Sequence, residues 1–222
     1  MEAVAKYREA EDRHREALPL RKQVVSGRRG QLGPEHPLTL AAEARLAVTY
    51  IGLKRPERAK PLLLHVHRGL AVTQGADDAT ALAVAERLAD VDLSLGQFEE
   101  ADPLLREVMA HHGERGDEVA GSAIGIKLGS SLIRQGRYVE ASDLLRTVVE
   151  VRGRILGTDH PDTLASLRNL VSALVWSGDY AEASIVARNL LAATIRTQGP
   201  DHADTLDAER LVEDIDRRLN TW

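Results

Sequence analysis

An all-α fold built from antiparallel helix pairs is what this sequence predicts, on three observations. A short turn motif ending in alanine recurs as LKRPERA (53–59), LGQFEEA (95–101), QGRYVEA (135–141) and SGDYAEA (177–183). A second motif interleaves with it, as LGPEHPLTL (32–40), QGADDATAL (74–82), LGTDHPDTL (156–164) and QGPDHADTL (198–206). Between the two motifs, apolar residues keep the 3.6-residue period of a helix, as in Leu164, Leu167, Leu170, Val171 and Leu174. A fixed period of this length marks a repeat array, in which a lone hairpin cannot bury its apolar stripe and stacking completes the core.

The elements follow in chain order. KYREAEDRHREAL (6–18) matches the second helix of a pair (helix B), with Tyr7 and Ala10 standing where Tyr180 and Ala183 stand later. No first helix (helix A) precedes it, so residues 1–25 read as an orphan helix B. Ala10 and Ala59 are seven residues further apart than the repeat requires, and the excess falls on SGRRGQ (26–31), whose Gly and Ser content reads as a solvated loop. Helix pairs are expected over 37–75, 78–115, 118–156 and 161–198. The third copy of the loop motif is degraded to RGDEVAGSA from Arg115. Gly96, Gly136 and Gly178 sit where the chain reverses after helix A and a positive φ is needed. Pro161, just after His160, reads as a helix start. The charged segment 203–220 is a final A-type helix that caps the array, which makes ten helices in one solenoid domain over 1–222.

Composition bounds the function. Apolar residues at 43% supply a core, and aromatics at only 3% leave Ala and Leu to pack it, which favours close helices over a β-sandwich. A net charge of −5 argues against nucleic acid as a partner. The absence of cysteine excludes thiol chemistry, disulfides and cysteine-based zinc sites. No apolar run is long enough to span a membrane, and the charged N-terminus has no signal-peptide core; a cytoplasmic protein is expected.

Together these motifs resemble the tetratricopeptide repeat in its longer, kinesin light chain-like form of about 42 residues, similar also to bacterial arrays at the ends of signalling NTPases. The four alanines of the turn motif match the family's small residue in helix B. Phe98, Tyr138 and Tyr180 match its turn aromatic, which Pro56 replaces in the first pair. Ala47, Ala89 and Gly129 match its small residue in helix A, and Val171 departs from it. The resemblance implies a right-handed α-solenoid whose A helices line a concave groove that binds partner peptides, with no shared catalytic activity. It also implies that the residue before the helix A leucine faces the groove. Those residues are Arg45, Arg87, Lys127 and Asn169, with Arg168, Arg134 and Trp176 near the same surface.

Such a ladder suits an acidic peptide or a C-terminal carboxylate, because arginine donates two parallel hydrogen bonds to a carboxylate. The plainer reading is that these cations pair with Glu43, Glu86 or Asp90 and solubilise the wall. His65 with His67, and His111 with His112, diverge on their helices, and His36, His160 and His202 recur in the loop motif as capping residues. No zinc-helix, phosphate-loop or nucleophile-elbow spacing is present, so no enzyme, metal or cofactor is expected. The expected function is a protein-interaction scaffold. Two further readings are a sensor region of a larger signalling NTPase or transcription regulator, and a homodimer formed through Tyr7, Ala10 and Leu18 of the first helix.

Overall fold

The computed structural model describes residues 2–73 and 79–220, with side chains for 13–72 and 79–220. Among the described residues there are ten helices and no strand. They are α1 (Glu2–Leu32), α2 (Pro37–Gly52), α3 (Pro56–Thr73), α4 (Ala79–Ser94), α5 (Phe98–Glu114), α6 (Glu118–Arg134), α7 (Tyr138–Ile155), α8 (Pro161–Ser177), α9 (Tyr180–Gln198) and α10 (Ala203–Leu219). Even-numbered helices are the A type and odd-numbered helices the B type. The copy of the loop motif at 74–78 and the side chains of Tyr7 and Ala10 lie outside the described residues.

The chain divides into two compact units, Met1–Val108 and Met109–Trp222. In the first, α2 packs between α1 and α3, and α4 packs on α3. Its core holds Leu40, Leu46, Ala47, Ala59, Leu63, Val66 and Leu88. In the second, α7 packs on α6 and α8, and α9 on α8 and α10. There Leu128, Leu132, Leu145, Val171, Leu174, Ala183 and Ala187 are fully buried.

The glycine turns form as the sequence requires: Gly96, Gly136 and Gly178 have φ of 72°, 76° and 86°. In the first hairpin Lys54 takes that place with φ 55°, a conformation a side chain disfavours by about 1–2 kcal/mol. Lys54→Gly is therefore expected to raise stability by about 1 kcal/mol, read by thermal unfolding; a lowered midpoint would contradict the strain.

The loop histidines are N-caps. Nδ1 of His36, His160 and His202 accepts from the backbone N–H of Leu38, Asp162 and Asp204, at 3.2, 3.1 and 3.2 Å. The degraded third loop keeps the function with another residue: Asp117 accepts from Ala120 N–H at 3.2 Å. The threonine of the motif ties the loop shut, with Thr163 and Thr205 donating to the carbonyls of Gly157 and Gly199. Thr39 is fully buried at the same place, yet its hydroxyl has no partner among the described residues.

SGRRGQ is not a loop. Residues 26–31 continue α1 to Leu32. Seven extra residues are close to two helical turns, so lengthening the helix keeps its inward face in phase. The added turns are held from outside: Arg28 donates to the carbonyl of Leu38 at 2.6 Å, and Arg29 Nε to Glu43 Oε1 at 2.6 Å. Those two anchors override the weak helix propensity of Ser26, Gly27 and Gly30. Leu18, expected at a dimer contact, instead packs against the core of the first unit.

The A-helix faces and the buried ionic cluster

In the first unit Arg87 projects from α4 into a cleft of about 710 Å³. Ile51, Ala83 and Val91 give the cleft an apolar lining, and Lys54, Glu86, Arg87 and Asp90 give it charge. Lys54 reaches the cleft from the strained turn, a placement that sequence periodicity does not signal because glycine holds that position elsewhere. Arg45 is exposed on α2 but does not line the cleft. Glu43 is not its counter-ion, because that carboxylate points inward.

Asp92, next in sequence to Val91 of the cleft, is 2% exposed at the place where Tyr50, Leu132 and Leu174 stand in other A helices. Lys60 Nζ is 2.8 Å from its Oδ1, but that oxygen accepts no well-aligned hydrogen bond. Burial, opposed by Lys60, pushes the Asp92 carboxyl above its ordinary value.

In the second unit Lys127, Arg168 and Asn169 are half-buried on α6 and α8, which touch, and Arg134 and Trp176 are exposed near their C-terminal ends. Trp176 stacks on Tyr138 at the start of α7, with ring centroids 5.8 Å apart. One repeat later Arg218 lies 5.9 Å over the ring of Tyr180. The turn aromatic thus packs on the last turn of the following A helix, a contact that the repeat spacing conceals.

Arg152 and Glu43 are buried outside these faces. Arg152 of α7 donates to Ser122 Oγ of α6, and to the carbonyl of Asp162 and Ser166 Oγ of α8. It binds three helices together through neutral acceptors. Glu43 is fully buried between Arg29 of α1 and His65 of α3, whose Nδ1 lies 2.6 Å from Glu43 Oε2. His65 Nε2 lies 3.0 Å from Glu35 Oε1 in the loop before α2. Hydrogen bonding to Glu43, only partly offset by burial, raises the His65 pKa above the usual imidazole value.

Among the described residues no group of three or more His, Cys, Asp or Glu is placed to hold a metal. No described helix is long and apolar enough to cross a membrane.

The family model of the tetratricopeptide repeat matches residues 119–192. The crystal structure of a Podosopora anserina kinesin light chain-like protein with nearly identical TPR-like repeats is similar to this chain at 29% identity and TM-score 0.73, over 87% of this chain and 94% of that one. BtubC (BKLC) from P. vanneervenii shares the fold at 18% identity and TM-score 0.66, over 89% of this chain and 77% of that one. PlcR from Bacillus thuringiensis, solved with the peptide PapR7 and DNA, shares it at 15% identity and TM-score 0.51, over 96% and 74%. No curated protein sequence matches the chain. The A/B hairpins with their glycine turns and capped loops agree with the tetratricopeptide repeat matched over residues 119–192 and with the likeness of most of the chain to the fungal kinesin light chain-like repeats.

Proposed function

We propose that this chain is a protein-interaction scaffold whose A-helix faces hold an acidic segment of a partner. The observation that carries the proposal is the charge on α6 and α8. Past their first turns these helices bear only Lys127, Arg134 and Arg168, on a protein of net charge −5. Asn169 adds an amide donor beside them, and the exposed Trp176 adds an apolar platform that suits a side chain of the bound segment. In the first unit, the cleft cations Arg87 and Lys54 offer a second place for a carboxylate, with Ile51 and Val91 for an apolar neighbour, and Arg45 is exposed on α2 apart from them. PlcR, a protein of similar fold solved with a bound peptide, is in line with a peptide as the class of ligand.

The test is binding of acidic peptides, with free and amidated C-termini, to the wild type and to two double variants. These are Arg45→Ala with Arg87→Ala in the first unit, and Arg134→Ala with Arg168→Ala in the second. Each charge-assisted hydrogen bond lost costs about 1.5–3 kcal/mol, so a weakening of about tenfold or more is expected for the variant whose face is used. Equal affinity for the wild type and both variants would sink the proposal.

A further inference from the structure

The first hairpin lacks an aromatic contact that later hairpins make. In α7 and α9 the turn aromatic packs on the last turn of the next A helix: Tyr138 stacks on Trp176, with ring centroids 5.8 Å apart, and Arg218 lies 5.9 Å over Tyr180. In α3 the place of the aromatic belongs to Pro56. The counterpart on α4 is Ser94, which follows Leu82 at the distance at which Trp176 follows Leu164 and Arg218 follows Leu206. The ring and its cover are thus both replaced by small residues, and Pro56 and Ser94 both line the cleft of about 710 Å³. A cleft of that size lies within the range of about 300–1,000 Å³ that small-molecule sites occupy.

The remaining lining residues define what such a molecule carries. Ile51 and Val91 are apolar, Lys54 and Arg87 are cations, and Glu86 and Asp90 are anions. These charges balance, so a ligand with one charge meets repulsion as well as attraction, whereas a ligand with both is matched twice. On α4, Asp90 and Arg87 share the face of Ser94, about 6 and 10 Å back along the helix axis. With the reach of their side chains, that spacing sets both signs of charge within one amino acid's length of a ring beside Ser94. Lys54 brings its ammonium to the cleft from φ 55°, where the later turns use glycine, and strain of this kind is kept where a side chain has a task. An aromatic residue inside a polypeptide offers the ring without either charge; a free amino acid offers all three features.

We propose that the cleft binds a free aromatic α-amino acid. Its ring takes the place of the absent turn aromatic beside Pro56 and Ser94, its carboxylate meets Arg87 and Lys54, and its ammonium meets Glu86 and Asp90. The inference rests on the reading of the cleft cations as a place for a carboxylate, and it names the molecule that brings one.

Calorimetric titration of the 222-residue chain with L-tryptophan and L-phenylalanine tests this, beside L-leucine, N-acetyl-L-tryptophan and L-tryptophanamide. The wild type should bind both aromatic amino acids, and each of the other three about tenfold or more weakly, because each lacks the ring or one charge. Arg87→Ala should weaken L-tryptophan about tenfold. Pro56→Tyr restores the residue that opens α7 and α9, so it should melt no lower than the wild type and lose binding, because its ring fills the site. Ser94→Trp, at an exposed position, should block the site in the same way. Wild type that binds neither aromatic amino acid, equal binding of leucine or of either capped form, or full binding by Arg87→Ala or by a well-folded filled variant would each overturn the proposal. The acidic-peptide reading of α6 and α8 has its own test in Arg134→Ala with Arg168→Ala. Peptide affinity lost in that variant, with no amino acid bound by the wild type, would therefore sink this inference alone.

Discussion

His65→Ala should lower the stability of the first unit by about 3 kcal/mol, because it removes a hydrogen-bonded cation from a fully buried carboxylate. Glu43 would be left with Arg29 as its only ionic partner among the described residues. Arg29→Ala should cost a similar amount and would also release the last turns of α1. Glu43→Leu should be milder than either, because the groups it strands, His65 and Arg29, are partly exposed and can hydrate. The pH dependence has a definite sign. Both ring nitrogens of His65 face carboxylates, so the cluster is complete only with the imidazolium, and the folded pKa lies above 6.5. The contribution is whole below the unfolded value near 6.5 and is lost as pH rises through the raised folded value. The wild type should therefore lose stability across that interval relative to His65→Ala. An NMR titration placing His65 at an ordinary imidazole value, together with a variant that melts like the wild type, would refute the cluster's role.

The same cluster shows what the sequence conveys and what it withholds. Hairpins, turns and caps were legible because each is a local rule repeated: glycine where φ is positive, histidine or aspartate ahead of each A helix, alanine where helices approach. SGRRGQ reads as a loop by that local logic, since Ser, Gly and Arg together punctuate more often than they propagate. Its helical state rests on Glu43 and the Leu38 carbonyl, fourteen and ten residues away in sequence. Glu43 itself looks like any solvent-facing helix glutamate, and only the fold shows it buried. Arg45, Arg87, Lys127 and Asn169 were located to their helices by register, but which of them shares a cleft with which acid depends on side-chain packing. Arg87 therefore joins Lys54, Glu86 and Asp90, while Arg45 does not.

Gly129→Val should destabilise the second unit by about 3 kcal/mol, and the reason lies in how each hairpin divides a fixed volume. A Cβ on Gly129 would sit 2.8 Å from both Cγ and Cδ2 of Leu145, which is fully buried and has nowhere to turn. The fourth hairpin has valine at the matching place, Val171, and it is fully buried without opening the pair. The compensation is sixteen residues on: Ala47, Ala89 and Gly129 are followed there by leucines (Leu63, Leu105, Leu145), whereas Val171 is followed by Ala187. Large has been exchanged for small across the interface, and the sum is kept. Leu145→Ala alone should cost about 2–5 kcal/mol through its cavity. Combined with Gly129→Val it reproduces the Val171/Ala187 arrangement, so the double variant should be more stable than the sum of the two losses predicts, by about 2 kcal/mol or more. Chemical denaturation of the four proteins completes the cycle. Strict additivity would mean that the two sites do not share their volume, and that the tolerance for Val171 has another source.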